Sequence, residues 1–93
     1  MSIDDIIFTS NLPSLDLHAF DSDTARVCIN DFIRDNKILR NEFLIIIHGN
    51  GSGVLRKVTN EVLKNNKDVI EYKLAFNNIG CTIVKININK LKE

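Results

Sequence analysis

The sequence predicts an α/β chain: an α+β two-layer sandwich of order βαβαββ, with a four-stranded mixed sheet and two helices on one face. Three observations predict it. Ninety-three residues, 44% of them apolar and 26% charged, suffice for one domain with one core. Apolar residues recur at helical spacing in two segments and alternate, or run continuously, in four others. Glycine and asparagine clusters punctuate the chain where one period gives way to the next.

The elements follow in order. Residues 1–13 carry Ile3, Ile6, Ile7 and Phe8 among acids and end at Pro13, an N-terminal arm rather than a domain. Leu15-Asp16-Leu17-His18 alternates as a short strand, with Leu15 and Leu17 inward. Asp21, Ser22 and Asp23 offer N-caps for a helix running to about Asn36, with Ala25, Cys28, Ile29 and Phe32 as its apolar stripe. Residues 43–47 are apolar throughout, as a central strand requires. A second helix over about 53–65 buries Leu55, Val58 and Val62, with Ser52 as its cap. Residues 69–76 alternate with Ile70, Tyr72, Leu74 and Phe76 on one face, and residues 81–88 place Thr82, Val84, Ile86 and Ile88 inward. Residues 77–80 form the hairpin between them. Both crossovers are expected to be right-handed, so the helices share one face. The central strand is then apolar on the open face as well, and residues 3–8 are expected to pack across it, in their own chain or in a partner's; the alternative is a disordered arm with a partner domain covering the sheet.

Composition narrows the function classes. Twelve basic residues balance twelve acidic ones, which argues against non-specific binding of nucleic acid through net charge but leaves room for a local basic face. No apolar run is long enough to span a bilayer and no cleavable signal is evident, so a cytoplasmic setting without membrane contact is expected. Cys28 and Cys81 lack metal-ligand spacing and read as reduced structural thiols. The sequon Asn50-Gly51-Ser52 reads as chance in that setting.

The chemistry concentrates in Ile47-His48-Gly49-Asn50-Gly51-Ser52-Gly53-Val54-Leu55-Arg56, a strand end, a glycine turn and a helix start. Glycines let backbone N–H groups crowd towards a ligand, and a helix N-terminus adds unpaired donors and positive dipole. Gly49, Asn50, Gly51, Ser52 and Gly53 are therefore candidate phosphate ligands, and Gly51 is the position where a positive φ is expected to shape the cradle. Arg56 and Lys57, in the first helical turn, can pair with neighbouring phosphates; a solvated helix face is the plainer account of Lys57. Parallel strands joined by helices end on one edge, so His18 and His48, the two histidines of the chain, arrive beside the same loop with Asp16 nearby. Either histidine alone would read as a solvated strand end; their convergence points to proton transfer at a phosphate. Rival motifs are weaker: the dinucleotide pattern needs glycine at Val54, although Glu71, about twenty residues on, leaves a reduced nucleotide site as a rival, and no Gly-Lys-Ser or Gly-Lys-Thr of a P-loop is present.

Leu15-Asp16-Leu17-His18, the loop from His48 to Arg56, and Gly80-Cys81-Thr82-Ile83-Val84 together resemble the small MutS-related (Smr) domain, with its L-D-L-H, H-G-x-G-x-G-x-L-R and G-x-T-x-V signatures. The resemblance covers residues 14–88, leaving 89–93 as a tail. It implies a sandwich similar to the C-terminal domain of translation initiation factor three, nucleic-acid binding and, in many members, endonuclease activity on DNA or RNA. By position it assigns the acid and histidine to Asp16 and His18 and the glycine loop to residues 48–53. Two departures stand out: Ala19 replaces the usual glycine after L-D-L-H, bearing on the turn, and the glycine-rich loop before the last strand is reduced to Gly80, bearing on the substrate groove. Members also occur as the tail of a MutS paralogue with an ATPase; this sequence has no ATPase residues and reads as a free-standing copy or an excised domain.

The expected function is thus a nucleic-acid-binding endonuclease with Asp16, His18 and His48 as catalytic residues. On RNA, one histidine takes the 2′-hydroxyl proton while the other protonates the leaving oxygen, a route that needs no cofactor and leaves a cyclic phosphate. On DNA, an activated water is required, and Asp16 with a histidine would hold a divalent cation, Mg or Mn. No resident metal site is otherwise indicated. The competing expectation is a non-catalytic adaptor for a nucleic acid or a ribosome, with the loop as a phosphate clamp.

Overall fold

In a computed structural model, which describes residue 3 and residues 11–75 and 78–89, the chain forms β1 (Ser14–Asp16), α1 (Ser22–Ile38), β2 (Phe43–Ile47), α2 (Val54–Asn65), β3 (Val69–Ala75) and β4 (Asn78–Ile86). The sheet order is β1-β2-β4-β3, with β1 parallel to β2 and the other neighbours antiparallel. The expected fold class is the one observed: four mixed strands with two helices packed on one face. The core beneath the helices joins Leu17, Leu44, Ile46, Val84 and Ile86 from the sheet side to Ala25, Ile29, Ile33, Val58, Val62 and Leu63 from the helices. No helix among the described residues is long and apolar enough to cross a membrane.

Helix α1 starts where its cap dictates. The Asp21 carboxylate accepts the Thr24 N–H at 2.7 Å, and that bond holds its pKa below the ordinary carboxylate value. The helix runs beyond Asn36 to Ile38 because its stop falls at Arg40, which holds a left-handed conformation (φ +62°). The N–H groups of Arg40 and Asn41 reach the carbonyls of Lys37 and Asn36, the paired bonds of a Schellman ending. Lys37 in the last turn pairs with Asp68 at 2.8 Å and ties α1 to the entry of β3.

Three expectations need correction. Ile70 is 55% exposed rather than inward. A bulge between Val69 and Glu71 inserts one residue, so Val69 and Tyr72 both pack on the core and the alternation changes phase. The hairpin is tighter than expected, since Asn78, Ile79 and Gly80 already belong to β4; Phe76 and Asn77 lie outside the described residues. The cap of α2 is Gly53, not Ser52: Gly53 holds a left-handed conformation (φ +90°), and the Ser52 hydroxyl accepts only a long bond from the Val54 N–H at 3.4 Å.

The second face of the sheet carries its own apolar cluster, Ile45, Ala75, Cys81 and Ile83 with Leu12, Phe43 and Ile47 at its margin. Ile3 is buried in that cluster, and its backbone N–H donates to the Glu71 carboxylate at 3.3 Å. The arm thus contributes Ile3 to the face that the helices leave open; Ile6, Ile7 and Phe8 lie outside the described residues.

Candidate nucleic-acid interface

The carboxyl ends of β1 and β2 meet because the two strands pair in parallel, Asp16 beside Ile47, with the Leu17 N–H donating to the Ile47 carbonyl at 2.9 Å. Each chain then leaves the sheet in its own way. After β1 the Asp16 carboxylate accepts the His18 backbone N–H at 2.9 Å, and the Phe20 N–H reaches back to the Leu17 carbonyl at 3.0 Å. Ala19 sits in this turn at φ +68°, the position where a type II turn takes glycine. An alanine there costs roughly 1–2 kcal/mol in backbone sterics. The turn projects His18 into solvent, exposed at the mouth of the site.

After β2 the chain is clamped instead. The Gly80 carbonyl accepts two N–H groups, those of His48 and Gly49, each at 2.9 Å. Gly80 is buried under the loop, and a Cβ there would lie 2.9 Å from Asn50 Oδ1 and 3.3 Å from the Gly49 Cα, which explains the glycine. His48 is buried, 7% exposed as a residue. Its Nδ1 lies 3.2 Å from the Gly49 carbonyl and its Nε2 2.8 Å from the Thr82 hydroxyl. A carbonyl can only accept, so Nδ1 carries the proton and donates to it, and in the neutral ring Nε2 accepts from Thr82. Burial lowers the His48 pKa from its usual 6.5, and the nearby Arg56 charge pushes the same way against the opposing bond to Gly49. Near neutral pH the ring is uncharged.

Gly49 and Gly53 carry the positive φ values, +80° and +90°, which corrects the expectation that placed one at Gly51. Gly51 has open space where a Cβ would stand, so its own fold makes no demand for glycine. Among the described residues, no acceptor takes the N–H groups of Asn50, Gly51, Ser52 or Gly53, whereas that of Gly49 is already spent on Gly80. The donors available to an anion therefore begin at Asn50 and lead into α2.

A cavity of about 400 Å³ brings together Asp16, His18, Ala19, Ile47, His48, Gly49, Gly51 and Leu55. Arg56 and Lys57 do not line it. They lie in a neighbouring groove of about 450 Å³ with Gly53, Asn60, Glu61, Lys64 and Tyr72. Asn50 and Ser52 line neither, standing exposed on the loop between them. The sequence reading missed Gly80 and Thr82 as the supports of the histidine loop; a buried Thr among inward apolar residues of β4 was the available signal. Among the described residues no three His, Cys, Asp or Glu side chains stand close enough to hold a metal ion together. Asp16 and His18 could at most supply a partial set for a cation completed by substrate oxygens and water.

Comparison with known proteins finds relatives of this chain. The profile of the Smr domain family matches residues 15–87. The Clostridium perfringens Endonuclease MutS2 is 33% identical over 78 residues, 84% of this chain, and the Helicobacter pylori Endonuclease MutS2 is 38% identical over 72 residues, 77% of it. The chain spans about a tenth of the length of these curated relatives, 10% and 9% respectively. The crystal structure of the Smr domain of Thermus thermophilus MutS2 superposes with a TM-score of 0.79 at 24% identity, covering 82% of this chain and 99% of that one. That of YdaL, a stand-alone small MutS-related protein from Escherichia coli, gives 0.77 at 22% identity, covering 85% and 70%. The two superpositions show a shared fold.

Proposed function

The chain belongs to the Smr domain family, and on its site we propose that it binds a nucleic-acid strand across the β1–β2 edge and cleaves a phosphodiester there. The observation that carries this reading is the convergence of an exposed histidine and a row of unpaired backbone donors on one edge, from two motifs far apart in sequence. A phosphate seated on the N–H groups of Asn50 to Gly53 meets the amino end of α2 and its favourable dipole. Its neighbour along the strand then lies over the histidine cavity.

The three candidate catalytic residues divide the work unequally in this proposal. His18 moves the proton: its ring is exposed, and it takes the proton of the attacking oxygen, the 2′-hydroxyl of RNA or a water on DNA. Water protonates the leaving oxygen. Arg56 and the loop donors receive the charge that grows on the phosphoryl oxygens. Asp16 positions His18 by holding its backbone N–H, and His48 acts beneath the surface, where a neutral ring locks the loop through Gly49 and Thr82. That division revises the paired-histidine expectation, because both His48 nitrogens already have partners. On RNA the product is a cyclic phosphate; the DNA route would add a divalent cation at Asp16.

The test is incubation of the protein with structured RNA and with supercoiled plasmid, each with and without EDTA. Cleavage of one of them, lost in His18→Ala while binding persists, is the expected result. A wild-type chain that binds RNA and cleaves nothing would support the second reading, a non-catalytic adaptor for RNA or a ribosome. The observation that favours that alternative is specific: Asp16 and His48 are both occupied in holding the fold of the site.

A further inference from the structure

The groove beside α2 is separate from the histidine cavity and shares with it only the glycine loop, which ends at Gly53. Three cations line it, Arg56, Lys57 and Lys64, and none is paired with a carboxylate among the described residues. The single acid of the groove, Glu61, is neutralised by Arg26 at 2.9 Å. A chain with no net charge has therefore gathered an unbalanced positive stripe on one helix face. Arg56, Asn60 and Lys64 follow one another every fourth residue, so they stand in a row along the helix at steps of about 6 Å. That step is close to the distance between successive phosphates of an extended strand. The half-buried ring of Tyr72, from the neighbouring strand β3, lines the groove as well.

From this juxtaposition we infer that the α2 groove is a binding track for an unpaired nucleic-acid strand, continuing the strand held at the glycine loop, with Lys64 and Asn60 on its phosphates and a base stacked on Tyr72. The inference rests on the proposed nucleic-acid function and names the form of substrate it takes. A basic row alone would serve a duplex or an acidic protein equally well. The aromatic ring selects an unpaired base, because a duplex keeps its base faces stacked inside. The track also extends the bound length well beyond the reacting phosphate, so affinity should grow with strand length until the far end of α2 is reached.

Fluorescence anisotropy on the whole chain tests it, with oligouridylate and oligodeoxythymidylate long enough to run the length of α2, a dinucleotide, a duplex and polyglutamate as ligands. For the long strands, Lys64→Gln should lower the salt-dependence slope by about 0.7, the share of one phosphate contact on a single strand. Tyr72→Leu should weaken them by about 5- to 150-fold, the loss of one stacked base. Tyr72→Phe, which keeps the ring, should bind as the wild type does, and a cooperative melt of Tyr72→Leu above the assay temperature guards against a folding defect. Dinucleotide binding should not change in any of the three. Equal affinity for polyglutamate or duplex, or long-strand binding indifferent to both Lys64→Gln and Tyr72→Leu, overturns the track while leaving the edge site standing. A wild-type chain that binds no strand of any kind overturns the track together with the function it rests on.

Discussion

The two histidines follow the ends of adjacent parallel strands, and their surroundings could hardly differ more. His18 stands exposed on a turn, with the Asp16 carboxylate as its backbone anchor and a strained alanine behind it. His48 is sunk into a loop that a third strand grips through Gly80 and Thr82. One is placed to meet a substrate and the other to hold the shape of the surface on which the substrate rests. Two residues of the same type at equivalent strand ends therefore carry different work, because one has an antiparallel neighbour beside it and the other lies at the sheet margin, beyond the end of the β1 edge strand.

Exchanging each histidine in turn is the sharpest way to break that contrast. His18→Ala should reduce cleavage by about a hundred- to ten-thousand-fold with stability altered by no more than about 0.5 kcal/mol. His48→Ala should instead cost about 1–3 kcal/mol of stability, because the Thr82 hydroxyl is left buried without a partner. Paired nuclease assays and thermal melts separate the two; equal stability losses would show that both rings are structural. Gly80→Ala tests the grip from the opposite side. Its Cβ meets Asn50 and the Gly49 backbone, and the overpacking should cost about 1–3 kcal/mol and weaken strand binding together with stability. Wild-type affinity in that variant would uncouple the loop from β4.

Acid should act on the loop through His48. The folded His48 pKa lies below 6.5 while the unfolded chain retains the usual value, so from about pH 6.5 downwards the unfolded state binds more protons. Stability should therefore fall as pH drops through that window, until the folded ring itself protonates. His48→Gln should flatten this part of the melting-temperature profile, whereas His18→Gln should leave it in place. The smallest effect belongs to the turn behind His18. Ala19→Gly relieves a left-handed strain of roughly 1–2 kcal/mol and gives back roughly 0.4–1 kcal/mol in chain freedom, for a net gain of up to about 1.6 kcal/mol in a denaturant melt. A loss of stability would mean that the turn relaxes around alanine without strain.

What could be read from the sequence was whatever is encoded locally. The element order, the helix stripes and the convergence of the two signature loops all follow from period and punctuation, and the structure reproduces the order and the common edge. What escaped depends on partners distant in sequence or on a single inserted residue. The bulge beside Ile70 changes which side chains of β3 face inward, and nothing in an alternating run marks where the extra residue falls. The loop has three glycines that look alike, yet only Gly49 and Gly53 have left-handed backbones. Gly51 then has no role in the chain's own conformation, and close approach of a ligand is the purpose left for it in the proposed site. The partners of His48 are set by the register of β2 on β4, Ile46 beside Thr82, a pairing invisible to any local pattern. Arg40 ends α1 in a conformation that glycine usually takes, so no glycine in the sequence marks the true end of the helix.

The shared carbonyl of Gly80 divides the loop's amide protons into two classes within a few residues. Those of His48 and Gly49 are fastened to β4 and can trade with deuterium only when that pairing opens. Those from Asn50 to Gly53 have no internal acceptor among the described residues and should trade freely in the unliganded protein. A bound phosphate would slow the second class and leave the first nearly unchanged, so each spectrum carries its own reference. The loop is in this sense a built-in reporter, able to register occupancy of the edge even where no bond is cut.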